Sequence, residues 1–483
     1  MSLDASTRRR IDAFVSDWLS DADVPGAGLA IVDPDGIQYA TGYGARDLEA
    51  GDPATPDTLF GIGSCSKSVT ALAVQQLAER GAVDLDDPVN QYVDRFDGED
   101  VTIHELLTHT SGMPSDGMAV AQIARRTGAA PATAPSTSRD DFARLLEDTT
   151  EDRVTDRESF FYYNSGYTVL ADLVEAVSGR PFREYVDAHV FTPLGMDRTT
   201  YSEAAFEADG NAATPYYRDP DDEELTAGGF PFGDRVDGPG GIVSSANELA
   251  GYVRAQLRGG DLDGDRVVGE DALETAHQAH ATRQRFLDGS RQGYGYGWMR
   301  QPFGVGSAAI EDGATSDETT DDEAFDTLVG HGGSVSVATA FLGWLEDAEV
   351  GVALACNTSA DPHPMHVGPA VLAIATGREP EATVPRYALD TKLDPLAGTY
   401  ESVHGIMTAE VTREGGTLAL DMETDLGEQS FTLVPNSLDP DDLTFHTASG
   451  AGAEVPVRFE RDDDGNVRDL FVQRWRLKKD SDD

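Results

Sequence analysis

The chain has 483 residues, of which 36 are Lys or Arg and 87 are Asp or Glu, so its formal net charge is −51. This charge excludes nucleic-acid binding as a main function, because phosphate contacts need a basic surface. It disfavours binding to anionic membranes for the same reason. Hydrophobic residues make up 39% of the chain, which argues against wholesale disorder. The length suggests two to three domains.

The acidic residues are spread along the whole chain, and lysine occurs only at positions 67, 392, 478 and 479. Such a charge repels itself at ordinary ionic strength. At molar salt the Debye length falls to about 3 Å, and most of that repulsion is screened. The composition therefore favours a halophilic protein over an ordinary acidic one.

The N-terminal residues, the apolar runs and the two cysteines indicate the expected cellular compartment. The first ten residues contain no apolar core of a signal peptide, and no apolar run approaches the roughly 20 residues of a membrane span. Cys65 and Cys356 alone do not form a disulfide framework. We therefore expect a soluble, cytoplasmic protein.

The first part of the chain, residues 1–376, predicts an α+β domain. Strands stand at both of its ends, and residues 100–320 are mostly helices and long loops, which suggests one sheet built from distant segments around a helical insert. The predicted elements, in chain order, are a helix ending near Leu19, a hairpin over Gly26–Gly42, helices over Val69–Leu77 and after the capping boxes Thr102–Glu105 and Ser245–Glu248, strands over Val335–Leu342 and Val350–Ala355, and a helix over Pro369–Ala375.

Residues 377–392, with Pro380 and Pro385, predict a linker. From residue 393 to 483 the pattern changes to short alternating runs separated by turn signals, which indicates a small antiparallel β-domain, a sandwich or more specifically a barrel. The predicted strands are Met407–Val411, Thr417–Leu420, Phe431–Val434, Leu443–Phe445, Val455–Phe459 and Leu470–Val472.

The strongest chemical signal is Ser64 with Lys67, three residues apart on one face of a predicted helix. A serine hydroxyl needs a base to become a nucleophile, and a lysine serves as that base only if its pKa is lowered. The pattern is short and common by chance. Here, however, Lys67 is the only lysine in the first 391 residues, which favours a chemical role.

Two further motifs follow in order along the chain, Tyr162-Tyr-Asn164 and His331-Gly-Gly333. Together with Ser-x-x-Lys, they resemble the S-x-x-K, Y-x-N and H-x-G (or K-T-G) elements of the serine β-lactamase-like superfamily. The resemblance covers roughly residues 10–375. Supporting stretches are Leu106–Pro114, Pro239–Ser245 and Tyr294–Trp298.

The resemblance implies a β-lactamase/transpeptidase-like fold, an antiparallel sheet with helices on its faces, and acyl transfer through an acyl-enzyme on Ser64. Lys67 and Tyr162 would share the proton transfers, and which of them is the base stays open. The phenol of Tyr162 would need a depressed pKa, with Lys67 supplying the positive charge.

The resemblance also assigns the remaining site residues. Asn164 would hydrogen-bond Lys67 or the substrate amide, and His331 would bind a substrate carboxylate or steady Tyr162. The backbone N–H groups of Ser64 and Ser334 would form the oxyanion hole, with Gly333 allowing close backbone approach.

Departures narrow the expected function. A second glutamate motif of the class A type is missing, and H-x-G in place of K-T-G points to esterase, D-aminopeptidase or peptidase relatives. We therefore expect a serine hydrolase acting on a small-molecule or peptide substrate through an ester or amide, such as a D-amino-acid peptide or a small acyl ester. Alternatives are a penicillin-binding pseudoenzyme without turnover and an acyltransferase using an alcohol.

No metal or other cofactor is expected, because the paired histidines lack a third ligand at zinc spacing. His109, within Leu106–Pro114, is expected to be structural rather than catalytic, since histidine is often a buried hydrogen-bonding residue. The C-terminal β-domain resembles lipocalin-like barrels attached to some family members. It would shape the cleft, build a homo-oligomer or act as a passive stabilising module.

Overall fold

A computed structural model describes most of the chain, namely residues 3–96, 98, 100–115, 117, 142, 146, 150, 153–154, 159–218, 224–305, 325–424 and 427–480. Two compact units are present. The larger unit comprises residues 1–284, 291–302 and 326–377, and the barrel unit comprises residues 285–290, 303–325 and 378–483.

The α-helices of the described residues are α1 (Ala5–Asp21), α2 (Ser66–Glu79), α3 (Ile103–Thr108), α4 (Asn164–Ser178), α5 (Phe182–Val186), α6 (Glu203–Ala208), α7 (Asp237–Gly240), α8 (Ala246–Leu257), α9 (Glu270–His277), α10 (Pro364–Ala375), α11 (Pro380–Thr383) and α12 (Pro385–Leu393). A 3₁₀ turn at Gly63–Cys65 leads directly into α2. Among the described residues, no helix is both long and apolar enough to cross a lipid bilayer.

A nine-stranded sheet organises the larger unit, in the order β10-β11-β12-β13-β14-β15-β1-β2-β3. The strands before the barrel are β1 (Gly26–Asp33), β2 (Gly36–Asp47), β3 (Asp52–Pro53), β4 (Phe60–Gly61), β5 (Tyr216–Arg218), β6 (Leu225–Ala227), β7 (Val243–Ser244), β8 (Asp261–Leu262), β9 (Asp265–Arg266), β10 (Ala281–Arg285), β11 (Arg291–Tyr294), β12 (Met299–Pro302), β13 (Thr327–Ser334), β14 (Thr339–Leu345) and β15 (Val350–Cys356).

The centre of the sheet joins the two ends of the larger unit. β1 pairs antiparallel with β15 on one side and with β2 on the other. Every residue of β1, β14 and β15 is buried, as expected for strands covered on both faces. The predicted hairpin and the predicted strand over residues 350–355 are therefore confirmed.

Helix α2 is buried around most of its circumference, from Ser66 to Leu77. A helix that is buried on all faces lies in the interior of a domain, and α2 packs against α4 and α7. The N-terminal residues of α2 therefore occupy a position that is fixed by neighbouring elements. Thr102 and Glu105 form the predicted capping box at the start of α3.

Two predictions about the strands of this unit were wrong in detail. The predicted strand over Val335–Leu342 starts too early, because its first four residues form a turn in which Val335 N–H donates to the Ala338 carbonyl at 3.0 Å. Residues before the turn belong to β13 and those from Thr339 onward to β14. The region predicted as helices and long loops also contributes β10, β11 and β12 to the large sheet. These strands are short and polar, so the sequence has no clear strand pattern there.

The barrel unit contains a closed eight-stranded antiparallel barrel, in which the first strand pairs with both the second and the last. Its interior is apolar, with Tyr400, Leu420, Leu433 and Phe445 fully buried. The predicted β-barrel is confirmed. Its strands are β16 (Gly398–Ser402), β17 (Met407–Glu414), β18 (Thr417–Thr424), β19 (Gly427–Pro435), β20 (Thr444–Ala448), β21 (Glu454–Arg461), β22 (Val467–Val472) and β23 (Trp475–Lys479).

The six strands predicted from sequence are present, and β16 and β23, which close the barrel, were missed. Each of these two strands has few large apolar residues, so neither has a strong alternating pattern. Residues 377–392, predicted as a linker, include α11 and most of α12.

The charge of the chain leads to a prediction about its stability. Raising KCl from about 0.1 M to about 2 M should increase the melting temperature by about 10 °C or more, because salt screens the mutual repulsion of the carboxylates. Differential scanning calorimetry over a KCl series measures this shift. A melting temperature that is the same at both ends of the series would refute the halophilic interpretation.

Candidate active site

The turn that carries Ser64 is held by backbone contacts with two neighbouring segments. Ile62 N–H donates to the Ile242 carbonyl at 3.0 Å. Gly63 has φ +49°, and a Cβ on it would lie 2.5 Å from the backbone nitrogen of Ser334. Only glycine fits such a position without strain. The turn thus presents Ser64, which is half-buried, beside the end of β13.

Lys67 is fully buried one turn further along, with 0% of its surface exposed. Its Nζ lies 3.0 Å from Ser64 Oγ, 2.8 Å from Asn164 Oδ1 and 2.9 Å from the Pro239 carbonyl oxygen. Burial lowers the pKa of Lys67 well below its usual value, because the charged ammonium is disfavoured away from water. Ser64 and Lys67, predicted from one motif, and Asn164, predicted from another, are therefore brought together.

Tyr162 completes the group. Its hydroxyl hydrogen-bonds Ser64, and the Lys67 Nζ lies 4.8 Å from the centre of its ring. The sequence led us to expect a depressed pKa for this phenol. Instead, burial raises the pKa of Tyr162, and the hydrogen bond with Ser64 offsets only part of that effect. Desolvation of the phenolate is the largest of the effects on this pKa.

His109 supports the segment that carries Tyr162. It ends α3 with φ +61°, its carbonyl accepts from Phe161 N–H at 2.9 Å, and its Nδ1 accepts from Tyr163 N–H at 3.1 Å. Its ring centre lies 4.4 Å from that of Tyr162. These contacts agree with the structural role expected for His109.

His331 is 1% exposed and its two ring nitrogens are both engaged. Nδ1 lies 2.6 Å from the Gly332 carbonyl, which can only accept, so Nδ1 donates and Nε2 accepts from the Tyr294 hydroxyl at 3.1 Å. Burial lowers the pKa of His331 to about 3. His331 is therefore a neutral residue bonded to Tyr294, without the charge that would attract a carboxylate. Its ring centre lies 6.3 Å from that of Tyr162.

The end of β13 lies against the nucleophile turn. A Cβ on Gly333 would lie 1.8 Å from the Ile62 carbonyl oxygen and 3.1 Å from the Ser64 backbone nitrogen. Gly333 is therefore required for the close approach predicted from sequence. Ser334 follows it and is exposed, so the backbones of Ser64 and Ser334 adjoin the same opening.

Helix α7 supplies the third contact of Lys67 through Pro239. It is tied to α2 by the Thr70 hydroxyl, which donates to the Gly238 carbonyl at 2.8 Å. An ion pair between Arg183 and Asp237 fixes its other side, with Nε to Oδ2 at 2.5 Å. Burial raises the pKa of Asp237 to about 6 in spite of this pair.

Cys65, beside the nucleophile, is fully buried, and its thiol donates to the His331 carbonyl at 3.1 Å. Burial raises the pKa of this thiol to about 12. A thiol of that pKa is not ionised at neutral pH and is a poor nucleophile. Within the described residues, no group of three or more His, Cys, Asp or Glu side chains is arranged to hold a metal ion.

Sequence reasoning did not assign roles to Pro239 or Tyr294, which contact Lys67 and His331, and it gave no role to Arg283. Pro239 and Tyr294 lie in stretches that supported the family resemblance, so a signal for them was present. Arg283, on β10, acts electrostatically on Tyr162, Tyr294, His109 and His331. Nothing in the polar sequence around Arg283 marked it.

Comparison with known proteins agrees with this geometry. Residues 8–376 match the beta-lactamase family, and residues 380–478 match the Pab87 octamerisation domain. The chain therefore belongs to the beta-lactamase family, and the family predicted from the three motifs is confirmed.

Individual relatives extend the comparison. The octameric penicillin-binding protein homologue from Pyrococcus abyssi is 30% identical, with a TM-score of 0.83 over 98% of this chain and 99% of that one. Esterase EstB of Burkholderia gladioli is 32% identical over 45% of this chain and 56% of its own. Protein flp of Staphylococcus aureus strain MW2 is 28% identical over 43% of this chain. The match spans about two fifths of the length of Protein flp, 41%.

Proposed function

We propose that the chain is a serine hydrolase that cleaves an ester or amide through an acyl-enzyme on Ser64. The observation that carries this proposal is the environment of Lys67. An ammonium group has three hydrogens to donate, whereas a neutral amine has two hydrogens and one lone pair. The Pro239 carbonyl and Asn164 Oδ1 can only accept, so a neutral Lys67 gives both hydrogens to them.

The lone pair of Lys67 then faces Ser64 Oγ, 3.0 Å away. This is within the distance at which a general base removes a proton. Ser64 attacks the substrate carbonyl, its proton passes to Lys67 Nζ, and Tyr162, whose raised pKa keeps it protonated, gives a proton to the leaving atom and regains one from the Lys67 ammonium. The backbone N–H groups of Ser64 and Ser334 stabilise the oxyanion. Water then attacks the acyl-enzyme carbonyl, its proton passes through Lys67 Nζ to Ser64 Oγ, and the acid product leaves.

A fluorophosphonate probe tests the nucleophile. In molar KCl, we expect rapid covalent labelling of the wild type and no labelling of Ser64→Ala, because the probe reacts only with an activated hydroxyl. A matched control is Ser66→Ala, since the Ser66 hydroxyl is buried and accepts from Ile242 N–H instead of facing the cleft. Equal labelling of wild type and Ser64→Ala would refute the assignment.

Substrate class and turnover need a second experiment, a screen of p-nitrophenyl esters, D- and L-amino-acid amides and a chromogenic cephalosporin. Hydrolysis of any of these in the wild type but not in Ser64→Ala supports the hydrolase. Labelling without turnover of any substrate would favour a penicillin-binding pseudoenzyme. Transfer to an added alcohol in preference to water would identify an acyltransferase.

The C-terminal barrel supports a homo-oligomeric assembly of this chain. Residues 380–478 match an octamerisation domain, and the Pyrococcus abyssi homologue is octameric. Light scattering in molar salt tests this inference, and a mass equal to that of a single chain would contradict it.

A further inference from the structure

His363 connects the first turn of α10 to the end of β13. Its Nδ1 accepts from the Met365 backbone N–H at 2.9 Å, and its Nε2 lies 3.1 Å from the Gly333 carbonyl oxygen. A backbone N–H can only donate and a carbonyl can only accept, so Nε2 carries the ring hydrogen and donates to Gly333. Burial lowers the pKa of His363 to about 4. The ring is therefore neutral at neutral pH, as this pair of hydrogen bonds requires.

The Gly333 carbonyl belongs to the same peptide group as the Ser334 N–H, which is assigned above to the oxyanion hole. This peptide is trans, so its C=O and N–H point in opposite directions. His363 therefore binds the peptide on the side opposite to the Ser334 N–H. A hydrogen bond accepted by the carbonyl polarises the peptide group and strengthens its N–H as a donor, because hydrogen bonds in series reinforce one another.

Two adjacent glycines allow the end of β13 to lie between the nucleophile turn and α10. Successive residues of a strand face opposite sides of the sheet. A Cβ on Gly333 would meet the Ile62 carbonyl oxygen at 1.8 Å. A Cβ on Gly332 would instead lie 3.0 Å from Met365 Cβ and 3.4 Å from His363 Cε1. The start of α10 thus packs directly against the strand that borders Ser64.

The segment that carries His363 is also held from outside β13. Trp18 Nε1, on α1, donates to the Pro362 carbonyl at 2.8 Å. Helix α10 packs on β14 and β15, and every residue from Val367 to Ala375 is buried. A ring that caps a buried helix has little freedom to move, so its Nε2 has a fixed direction toward Gly333.

We propose that His363 is a positioning residue of the oxyanion hole, which orients the Ser334 N–H and strengthens it as a donor through the Gly333 carbonyl. This inference rests on the hydrolase function proposed above. His363 itself does not touch the substrate. Its effect is larger in the transition state, where the substrate oxygen carries negative charge, than in the ground state. Loss of the hydrogen bond should therefore lower kcat more than it raises KM.

Two substitutions separate the hydrogen bond to Gly333 from the cap of α10. In His363→Asn, the side-chain oxygen takes the place of Nδ1, since asparagine is a favoured N-cap residue, but the shorter side chain has no donor that reaches Gly333. In His363→Gln, the longer amide places an N–H near the former position of Nε2, whereas glutamine is not a favoured N-cap residue.

The measurements are steady-state kinetics and the infrared band of the acyl-enzyme carbonyl, with an isotope-labelled carbonyl carbon in the best ester from the screen. We expect His363→Asn to lower kcat by about 10-fold, to change KM by less than about threefold, and to keep the wild-type melting temperature. Its carbonyl band should move to higher wavenumber, because a weaker hydrogen bond leaves more double-bond character. His363→Gln should keep the wild-type band and a kcat within about threefold of the wild type, even if it melts earlier.

The proposal is overturned if His363→Asn has the wild-type band and kcat, or if both variants lose kcat equally. It is also overturned if activity follows the melting temperature across the two variants, since His363 would then only stabilise α10. Failure of the hydrolase proposal is distinguishable, because the wild type itself would then form no acyl-enzyme on Ser64 and show no carbonyl band.

Discussion

Replacement of Lys67 by methionine is expected to lower kcat/KM by about 10³-fold or more. Methionine fills a similar volume but has no lone pair of sufficient basicity at the 3.0 Å position beside Ser64 Oγ. The measurement is steady-state hydrolysis of the best ester found in the screen. Loss of less than about tenfold would mean that another group removes the proton.

The chain offers a matched control in its other buried lysine, Lys392. Its Nζ donates to the carbonyls of Ser437 and Asp439, at 2.8 and 3.1 Å, in the barrel unit. Lys392→Met should therefore retain activity, even if it lowers the free energy of unfolding. A comparable loss of activity in both variants would show that the effect comes from removing a buried lysine in general.

The lowered pKa of Lys67 also predicts that the stability of the protein depends on pH, and Lys67→Met tests this. Burial lowers the folded-state pKa of Lys67, so between that pKa and the unfolded value of about 10.4 the unfolded chain binds more protons. The free energy of unfolding of the wild type should rise with pH across this window through Lys67. In Lys67→Met this contribution is missing, so the wild type should gain stability relative to the variant as pH rises. A difference that is constant with pH would contradict a neutral Lys67.

Replacement of Tyr162 by phenylalanine is expected to lower kcat/KM by about 10²- to 10⁴-fold on an amide and by less on a p-nitrophenyl ester. An amide nitrogen must be protonated to leave, whereas p-nitrophenolate leaves without a proton. The ratio of the two losses is the measurement. An equal loss on both substrates would indicate that Tyr162 acts before the leaving step, as the base for Ser64.

Tyr163→Phe is the matched control for Tyr162→Phe. The Tyr163 ring is 1% exposed and belongs to the hydrophobic core, so this change should leave the amide-to-ester ratio as in the wild type.

A pH profile of the wild type is a second test of the roles of Lys67 and Tyr162. Activity of the wild type should rise with pH as Lys67 becomes neutral, and fall only where Tyr162 ionises, above the ordinary range for tyrosine because its pKa is raised.

Much of the site could be predicted from sequence because its residues lie in local motifs whose spacing is fixed by backbone geometry. Ser64 and Lys67 are three apart on one helical turn, and Asn164 begins the helix that packs on it. The scarcity of lysine was a useful indicator, and the structure sharpens it. Both Lys67 and Lys392 are fully buried, so burial is what the two share and only Lys67 lies beside a nucleophile.

What the sequence could not predict depends on contacts between distant segments. The pKa of Tyr162 is set by the rings and backbone packed around it, which no local pattern encodes. The neutrality of His331 likewise follows from its burial between distant segments, among them Tyr294, 37 positions earlier, whose hydroxyl hydrogen-bonds its Nε2. Arg283 lies on a polar edge strand, where a short sequence cannot distinguish a solvated arginine from a half-buried one.

The central claim is that Ser64 carries the acyl group during turnover. The most direct measurement is to quench the wild type with acid during hydrolysis of its best ester, digest it and locate the acyl group by peptide mass spectrometry. We expect the mass of one acyl group on Ser64, and none in Ser64→Ala. Turnover by the wild type with an acyl group on another side chain, such as Cys65, or with no covalent adduct detectable under conditions where deacylation limits the rate, would contradict the proposal.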